Sequence, residues 1–222
     1  LVAALETEAT RARAVGANDR LIKRSLDLAL AVQFLLLSAP VILVLATVVR
    51  LVSPGPAFFT QVREGLEGKP FRVWKLRTMH LDAEERLKRH LAEHPSAQAE
   101  WNRYMKLKHD PRLLPGIGRF MRRWSLDELP QLWNVVKGEM SLVGPRAFPD
   151  YHLQAFDSEF RALRRKVKPG ITGYWQVRVR SNGGLEVQQK LDSYYIHNWS
   201  LWFDVYILAR TVTTVLKGHG AY

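Results

Sequence analysis

Acidic and basic side chains crowd together most densely between Arg119 and Arg146, in RFMRRWSLDELPQLWNVVKGEMSLVGPR. Asp127 and Glu128 stand side by side there, preceded by Arg119, Arg122 and Arg123 and followed by Arg146. A carboxylate kept anionic among guanidinium groups suits phosphoryl chemistry. It can hold a divalent cation, or attack a phosphorus whose oxygens the arginines neutralise. A local role is equally open, because Ser125-x-x-Glu128 fits a capping box in which serine caps a helix and glutamate reaches back. Pro130 argues against that box. With Ser125 as the cap, proline would lie inside the helix, where its missing N–H should have bonded the Leu126 carbonyl. A helix starting at or after Asp127 puts Pro130 in the first turn, where proline is tolerated. Asp127 then sits at the positive end of the helix dipole, which favours its ionised form. Leu129, Leu132, Trp133 and Val136 mark the expected buried face, and Gly138 the stop. Residue physics alone leaves both readings standing, catalysis or capping with surface ion pairing.

Other segments could serve phosphate groups. In PFRVWKLRT, the period of two puts Phe71, Val73, Lys75 and Arg77 on one strand face. Lys75 and Arg77 form either a phosphate clamp or a solvated strand end. Ser141–Arg146 reads as a short strand and a tight turn presenting Pro145 and Arg146. Lys168–Gln176 is a second glycine-punctuated turn entering a strand. No P-loop, HExxH or Ser-His-Asp spacing occurs, and Gly116-Ile117-Gly118 lacks the third glycine of a dinucleotide fingerprint. His90, His94 and His109 do not share a helix face in a metal-ligand pattern and read as surface residues.

The elements that must position these groups begin with a hydrophobic run. Leu28–Val49 is uncharged over about 22 residues, enough to cross a ~30 Å hydrocarbon core. Pro40 lies near its midpoint beside Ser38. Proline removes one backbone hydrogen bond and clashes with the Leu36 carbonyl, while Ser38 could satisfy freed backbone groups. The helix either kinks and crosses, or breaks and re-enters so that both ends stay on one side. Lys23 and Arg24 before the run, with Arg50 and Arg63 after it, are compatible with two cytoplasmic ends. Beyond it, residues 57–78 read as a β-hairpin turning through Gly65 and Gly68. Residues 82–107 read as charged helix interrupted at Pro95. Residues 152–166 read as a helix burying Leu153, Phe156, Phe160 and Leu163. In the tail from Tyr194 to Leu216, Trp199, Trp202 and Tyr206 either favour the membrane surface or pack in the core.

Lys and Arg total 33 against 21 Asp and Glu, a formal net charge of +12 that attracts polyanions, including nucleic acid, anionic lipid headgroups and phosphorylated substrates. The hydrophobic run favours the membrane over nucleic acid. The absence of cysteine excludes a disulfide scaffold and Cys-ligated zinc, and fits a reducing compartment. A first residue of Leu1 rather than Met suggests a portion of a longer protein.

Taken together, these segments make the chain from about Ile22 to Tyr222 resemble the bacterial sugar transferases, the monotopic phosphoglycosyl transferases, and within them the undecaprenyl-phosphate galactose or glucose phosphotransferase branch. The resemblance is carried by the proline-interrupted hydrophobic run, LRTM (76–79), SLDELPQLWNVVKGEMSLVGPR (125–146), KPGITGYWQV (168–177), NWSLWFD (198–204) and the terminal GAY. The chain departs from the pattern in three places: Ala147 where proline is expected, His109 where asparagine is expected, and Arg178-Val179-Arg180 in place of SGR. The last touches a loop near the active face and bears on sugar choice.

The resemblance implies an α+β fold, a helix-dominated monotopic membrane domain with interfacial amphipathic helices and a small β-hairpin or sheet. Its expected parts are a linker over 1–20, a re-entrant helix-break-helix over 21–52 broken at Ser38 and Pro40, and a catalytic domain over 53–222. It implies transfer of hexose-1-phosphate from a UDP-sugar to polyprenyl phosphate with release of UMP. Asp127 matches the nucleophile that would carry the phosphosugar covalently and a Mg²⁺ ligand, and Glu128 matches its dyad partner, for metal binding or proton handling. Arg122, Pro145 and Arg146 match phosphate- and uridine-binding positions, to which the strand reading adds Lys75 and Arg77. Expected partners are membrane lipids, a second copy of the chain and downstream glycosyltransferases, not nucleic acid. The expected location is the bacterial inner membrane, with the catalytic domain facing the cytoplasm. Two rivals compete with an enzyme: a basic module that binds lipid or nucleic acid without turnover, and an assembly anchor.

Overall fold

The computed structural model describes residues 16–104, 107–179 and 184–217. The expected linker before residue 16, Arg180 of the departing loop and the terminal GAY lie outside the described residues. Helix α1 (Ala17–Val52) is followed by strand β1 (Phe58–Glu64), a 3₁₀ turn (Leu66–Gly68) and strand β2 (Pro70–Leu76). Helices α2 (Ala83–Glu93), α3 (Pro95–Tyr104) and α4 (Ile117–Arg123) lead to a second 3₁₀ turn (Leu126–Glu128) and helix α5 (Gln131–Lys137). Then come β3 (Ser141–Val143), α6 (Asp150–Leu153), α7 (Ser158–Arg164), β4 (Gly170–Thr172), α8 (Tyr174–Arg178), α9 (Leu185–His197) and α10 (Leu201–Lys217). The expected α+β class is met, with helices dominating and two small sheets.

Helix α1 is one hydrogen-bonded element of 36 residues with Pro40 inside it. Proline deletes a single bond of the ladder, and the surrounding turns keep theirs. The Ser38 hydroxyl donates to the Leu35 carbonyl at 3.3 Å, one residue from the Leu36 carbonyl that Pro40 leaves without its helical donor. A helix that is apolar all round belongs in a core or in lipid, and here Leu36, Leu37, Leu43 and Leu51 are each at least 69% exposed. The helix already begins at Ala17, inside the stretch expected as linker.

Its N-terminal part is polar and docks on the rest of the chain. The Arg24 guanidinium donates to the carbonyls of Val135 and Val136 at 2.6 and 2.8 Å, capping the C-terminus of α5. Lys23 donates to the Val143 carbonyl at 3.2 Å and pairs with Asp204. Asp27 accepts from the Leu142 N–H at 3.1 Å. Lys23 and Arg24, which the sequence offers as flanking topology charges, are therefore structural ligands of β3 and α5. Farther along, Leu45, Ala46 and Val49 pack against Ala57, Leu76, Leu114 and Met121. Both halves of α1 thus lie on the same body.

The hairpin forms as expected, β1 antiparallel to β2 with Phe58 opposite Leu76 and Arg63 opposite Phe71. Phe71 and Val73 join the main core with Ala31, Leu132, Val135, Met140, Leu142 and Val143. Trp133 departs from the expected buried face of α5 and is 49% exposed, because the helix is rotated to bury Asn134 and Val135 instead. The Asn134 amide accepts from the Trp74 N–H and donates to the Arg72 carbonyl, binding α5 to β2. The helix expected over 152–166 is two helices, since Asp157 caps α7 by accepting from the Phe160 N–H at 2.7 Å. Leu153, Phe156, Phe160 and Leu163 still form one cluster, with Phe148. Pro95 interrupts the 82–107 segment as expected and opens α3. In the tail, Trp202 is 82% exposed on α10, beside Val205 and Tyr206, while Trp199 packs inward and donates to Asp204 at 3.1 Å.

Strands β3 and β4 pair in parallel, Ser141 with Gly170 and Val143 with Thr172, and a further bridge joins Arg146 to Gly170. A Cβ at Gly170 would stand 2.1 Å from the Gly144 nitrogen, so only glycine allows this approach. Gly170→Ala is expected to destabilise the protein by about 3 kcal/mol or more, at the upper end of overpacking costs. Gly184→Ala, at the N-cap of α9 where a Cβ would meet nothing within 4 Å, should cost no more than about 1 kcal/mol. Thermal denaturation in detergent checks both, and coincident melting curves would show that the approach is not needed.

Candidate active site

Asp127 and Glu128 belong to the short 3₁₀ turn that joins α4 to α5, and Pro130 caps α5. Ser125 enters that turn at φ 55°, in the left-handed region. Its side chain makes no capping hydrogen bond, and the Glu128 carboxylate points elsewhere, so the capping box does not form. The expectation that proline excludes the box holds.

Glu128 is the hub. Its Oε1 accepts from Lys75 Nζ at 2.7 Å and from Arg146 Nη2 at 2.9 Å, and its side chain is 15% exposed. Each partner arrives for a traceable reason. Lys75 continues the face of β2 that buries Phe71 and Val73, and Asn134 fixes β2 against α5. Arg146 follows β3, where the Gly170 N–H donates to the Pro145 carbonyl at 2.9 Å. Burial pushes the Glu128 carboxyl up, but the Arg146 and Lys75 charges and their hydrogen bonds outweigh it and hold the group well below the usual carboxylate range. Arg146 is raised in return, first by the Glu128 charge.

Asp127 meets opposite conditions. It is 8% exposed, and among the described residues nothing hydrogen-bonds its carboxylate. Burial, and then the neighbouring Glu128 charge, push its carboxyl above the ordinary range against the pull of Lys75, Arg122 and Arg146. The helix dipole expected to favour its ionised form is therefore outweighed by burial and by Glu128. Arg122 is half-buried and donates through Nε to Thr78 Oγ1 at 3.0 Å. Burial lowers its pKa, and the Asp127 charge acts the other way.

Of the sequence-derived candidates, Asp127, Glu128, Lys75, Arg122 and Arg146 gather here, with Pro145 holding the Arg146 turn. Arg77 does not join them. Its guanidinium is buried against the end of α1, donating to Ser53 Oγ at 3.2 Å and the Pro54 carbonyl at 3.3 Å. It lies one residue past β2, where the strand alternation no longer governs its direction. Ser38 and Pro40 stay on α1. Residues that the spacing did not single out also line the cleft around Glu128: Arg63, Gln131, Ala147, Gly170 and Ile171. For Arg63 the hairpin register was the available signal, since opposite residues of an antiparallel pair share a face. Among the described residues no three His, Cys, Asp or Glu side chains form a metal cluster.

The raised Asp127 carboxyl has a consequence for stability. A group whose folded pKa exceeds its unfolded value favours the folded state at low pH, and that contribution is lost as pH rises through the folded value. Above it, folding bears the cost of an ionised carboxylate without a hydrogen-bond partner. Without divalent cations, Asp127→Asn should therefore stabilise the protein at pH 8 by about 1–3 kcal/mol. The gain should shrink as pH falls toward 4. Unfolding curves at several pH values check this, and equal stability of the two proteins at pH 8 would contradict it.

Comparison with known proteins agrees with the geometry. The bacterial sugar transferase family matches residues 18–218. The chain is 41% identical over 207 residues to the undecaprenyl-phosphate galactose phosphotransferase of Salmonella typhimurium, covering 92% of this chain and 42% of that protein. It is 40% identical over 215 residues to the UDP-glucose:undecaprenyl-phosphate glucose-1-phosphate transferase of Escherichia coli, again 92% of this chain and 42% of that protein. It is 37% identical over 200 residues to the exopolysaccharide production protein ExoY of Rhizobium meliloti, of which 88% is covered. The chain thus spans less than half the length of the first two relatives and most of the third. With this match running nearly end to end over a carboxylate dyad set among cations, the chain belongs to the bacterial sugar transferase family.

Proposed function

We propose that this chain transfers a hexose-1-phosphate from a UDP-sugar to undecaprenyl phosphate at the cytoplasmic face of a bacterial inner membrane, the first membrane step of polysaccharide assembly. The observation that carries the reading is the asymmetry of the dyad: Glu128 is engaged by two cations, while Asp127, buried beside it, has a carboxylate without a hydrogen-bond partner among the described residues. A desolvated, unpartnered carboxylate is a stronger nucleophile than one stabilised by donors. An Asp127 oxygen attacks the β-phosphorus of the donor, the bond from that phosphorus to the bridging oxygen breaks, and UMP leaves. The lipid phosphate oxygen then attacks the same phosphorus and releases the carboxylate, giving the lipid diphosphate sugar. Lys75, Arg122 and Arg146 neutralise the phosphoryl oxygens. Glu128, held ionised, is a poor carrier of protons at neutral pH; it orients Lys75 and Arg146.

The residues fit a magnesium ion. Asp127 and the Oε2 oxygen of Glu128 are hard ligands without hydrogen-bond partners among the described residues, and magnesium needs only one or two carboxylates when a diphosphate and water complete its shell. When bound, the ion would neutralise charge on the diphosphate. A re-entrant topology is supported by the docking of α1. Its N-terminal charges and its C-terminal apolar stretch rest on one body that also carries Asp204 and Arg122, and a bilayer between those ends would have to accommodate these charged groups. The exposed apolar residues of α1 and the Trp202 face of α10 would enter the lipid.

Incubation with UDP-galactose or UDP-glucose and magnesium should release UMP and leave a phosphosugar on Asp127 detectable by mass spectrometry. Asp127→Asn should abolish both, by about 10³-fold or more for loss of a nucleophile. Full activity in that variant would refute the mechanism. The natural chain has no cysteine, so cysteines placed at Gly16 and Thr60 report topology cleanly. Both should react with an impermeant thiol reagent from the cytoplasmic side, and labelling from opposite sides would exclude re-entry.

A further inference from the structure

Arg63 stands in the cleft with Lys75, Glu128, Gln131 and Arg146, yet the dyad does not neutralise it. Its Nη1 donates to the Ala147 carbonyl at 3.2 Å and its Nη2 to Gln61 Oε1 at 2.6 Å. Both are neutral acceptors, and among the described residues Arg63 has no carboxylate partner. Its Nε is buried and makes no hydrogen bond. Buried guanidinium groups are ordinarily paired, because desolvating the charge costs more than neutral acceptors return. Here burial, and then the charge of Arg146, lower the guanidinium pKa to about 10. The neighbourhood therefore carries more positive charge than its own side chains balance. Among the residues that line the cleft, Arg63, Lys75 and Arg146 face one carboxylate, Glu128.

We propose that Arg63 is an anion-binding residue of this cleft, whose ligand is the diphosphate of the nucleotide sugar. The proposal deepens the donor reading above and rests on it for the identity of the ligand, though not for the existence of the anion site. A diphosphate bridge brings two negative charges into a cleft that has two cations in excess. The planar guanidinium offers donors that can engage two phosphoryl oxygens. Arg63 comes from β1, whereas Asp127 and Arg146 come from the 3₁₀ turn and the segment after β3. A ligand held by all three fixes the hairpin, the nucleophile and the Pro145-Arg146 turn relative to one another, which is the positioning that phosphoryl transfer needs.

The test uses the full chain in nanodiscs, with inorganic pyrophosphate and UDP as probes in separate calorimetric titrations. Neither probe carries the hexose on its terminal phosphate, so no sugar phosphate is transferred. Arg63→Ala should weaken both by about 10- to 100-fold, the range of a charge-assisted hydrogen bond. Arg63→Lys, which keeps the charge but not the fork, should fall between. Arg165→Ala, which removes an exposed cation paired with Glu64, should change neither by more than about twofold. Unchanged pyrophosphate affinity in Arg63→Ala would overturn the proposal, even if its melting temperature falls. So would an equal loss in Arg165→Ala, or a wild-type chain that binds no pyrophosphate. Pyrophosphate binding that depends on Arg63, without UDP binding, would sustain the anion site and sink the nucleotide-sugar donor.

Discussion

The structure around the dyad depends on one shared oxygen. Glu128 Oε1 accepts from both Lys75 and Arg146, and these two cations come from separate elements, one from the hairpin and one from the turn after β3. Because Glu128 gathers them, adjacent Asp127 lies among positive charges without being hydrogen-bonded by them. Charges at this range in a partly dry setting interact strongly, so Glu128 is driven down by its cations, while burial first and then the Glu128 charge drive Asp127 up. Two chemically similar side chains, adjacent in sequence, thereby take different roles: one organises cations and the other remains available for bonding.

That arrangement needs a rigid frame, and much of the frame is polar. Asn134 joins α5 to β2 through its side-chain amide, and Arg24 caps the far end of α5 from α1. Asp204 collects Lys23, Tyr195 and Trp199, and so ties α1 to α9 and α10. Such groups are costly to bury unless each finds partners. Satisfied as they are here, they bind the foot of α1 to the element that follows the dyad. Helix α1 is therefore part of the scaffold of the candidate site. The short α5 has a guanidinium at one end and the turn with Asp127 and Glu128 at the other, so a shift of α1 would be felt at Asp127 through few intermediates.

A second pair of charges supports the Arg146 side. Arg164 and Asp192 form a buried ion pair at 3.0 Å, and Arg164 also donates to the Arg146 carbonyl and lies over the rings of Phe148 and Phe160. Burial pushes the Asp192 carboxyl up to about 7 against the opposing pull of Arg164. The Arg146 backbone is thus held from below by an arginine, while its side chain reaches the dyad. The loop with the Pro145-Arg146 turn is fixed at both levels, by glycine packing in the backbone and by charge beneath it.

By itself the sequence determined the elements whose signals are local. Alternation and two glycines marked the hairpin, the uncharged run marked α1, Gly138 marked the end of α5, and Pro130 ruled out the capping box. The cluster of Asp127, Glu128 and arginines was legible because all lie within one short stretch. Tertiary structure decided what depends on distant partners. It turned Trp133 outward and Asn134 inward, gave Arg77 to the end of α1, and brought Arg63 and Gln131 into the cleft. It also reversed the expected bias of Asp127, since a helix end favours a negative charge within a single turn, whereas burial, the larger effect, exists only in the folded molecule. Local propensity is written in neighbouring residues. Desolvation and electrostatic coupling are properties of the packed molecule, and no spacing along the chain encodes them directly.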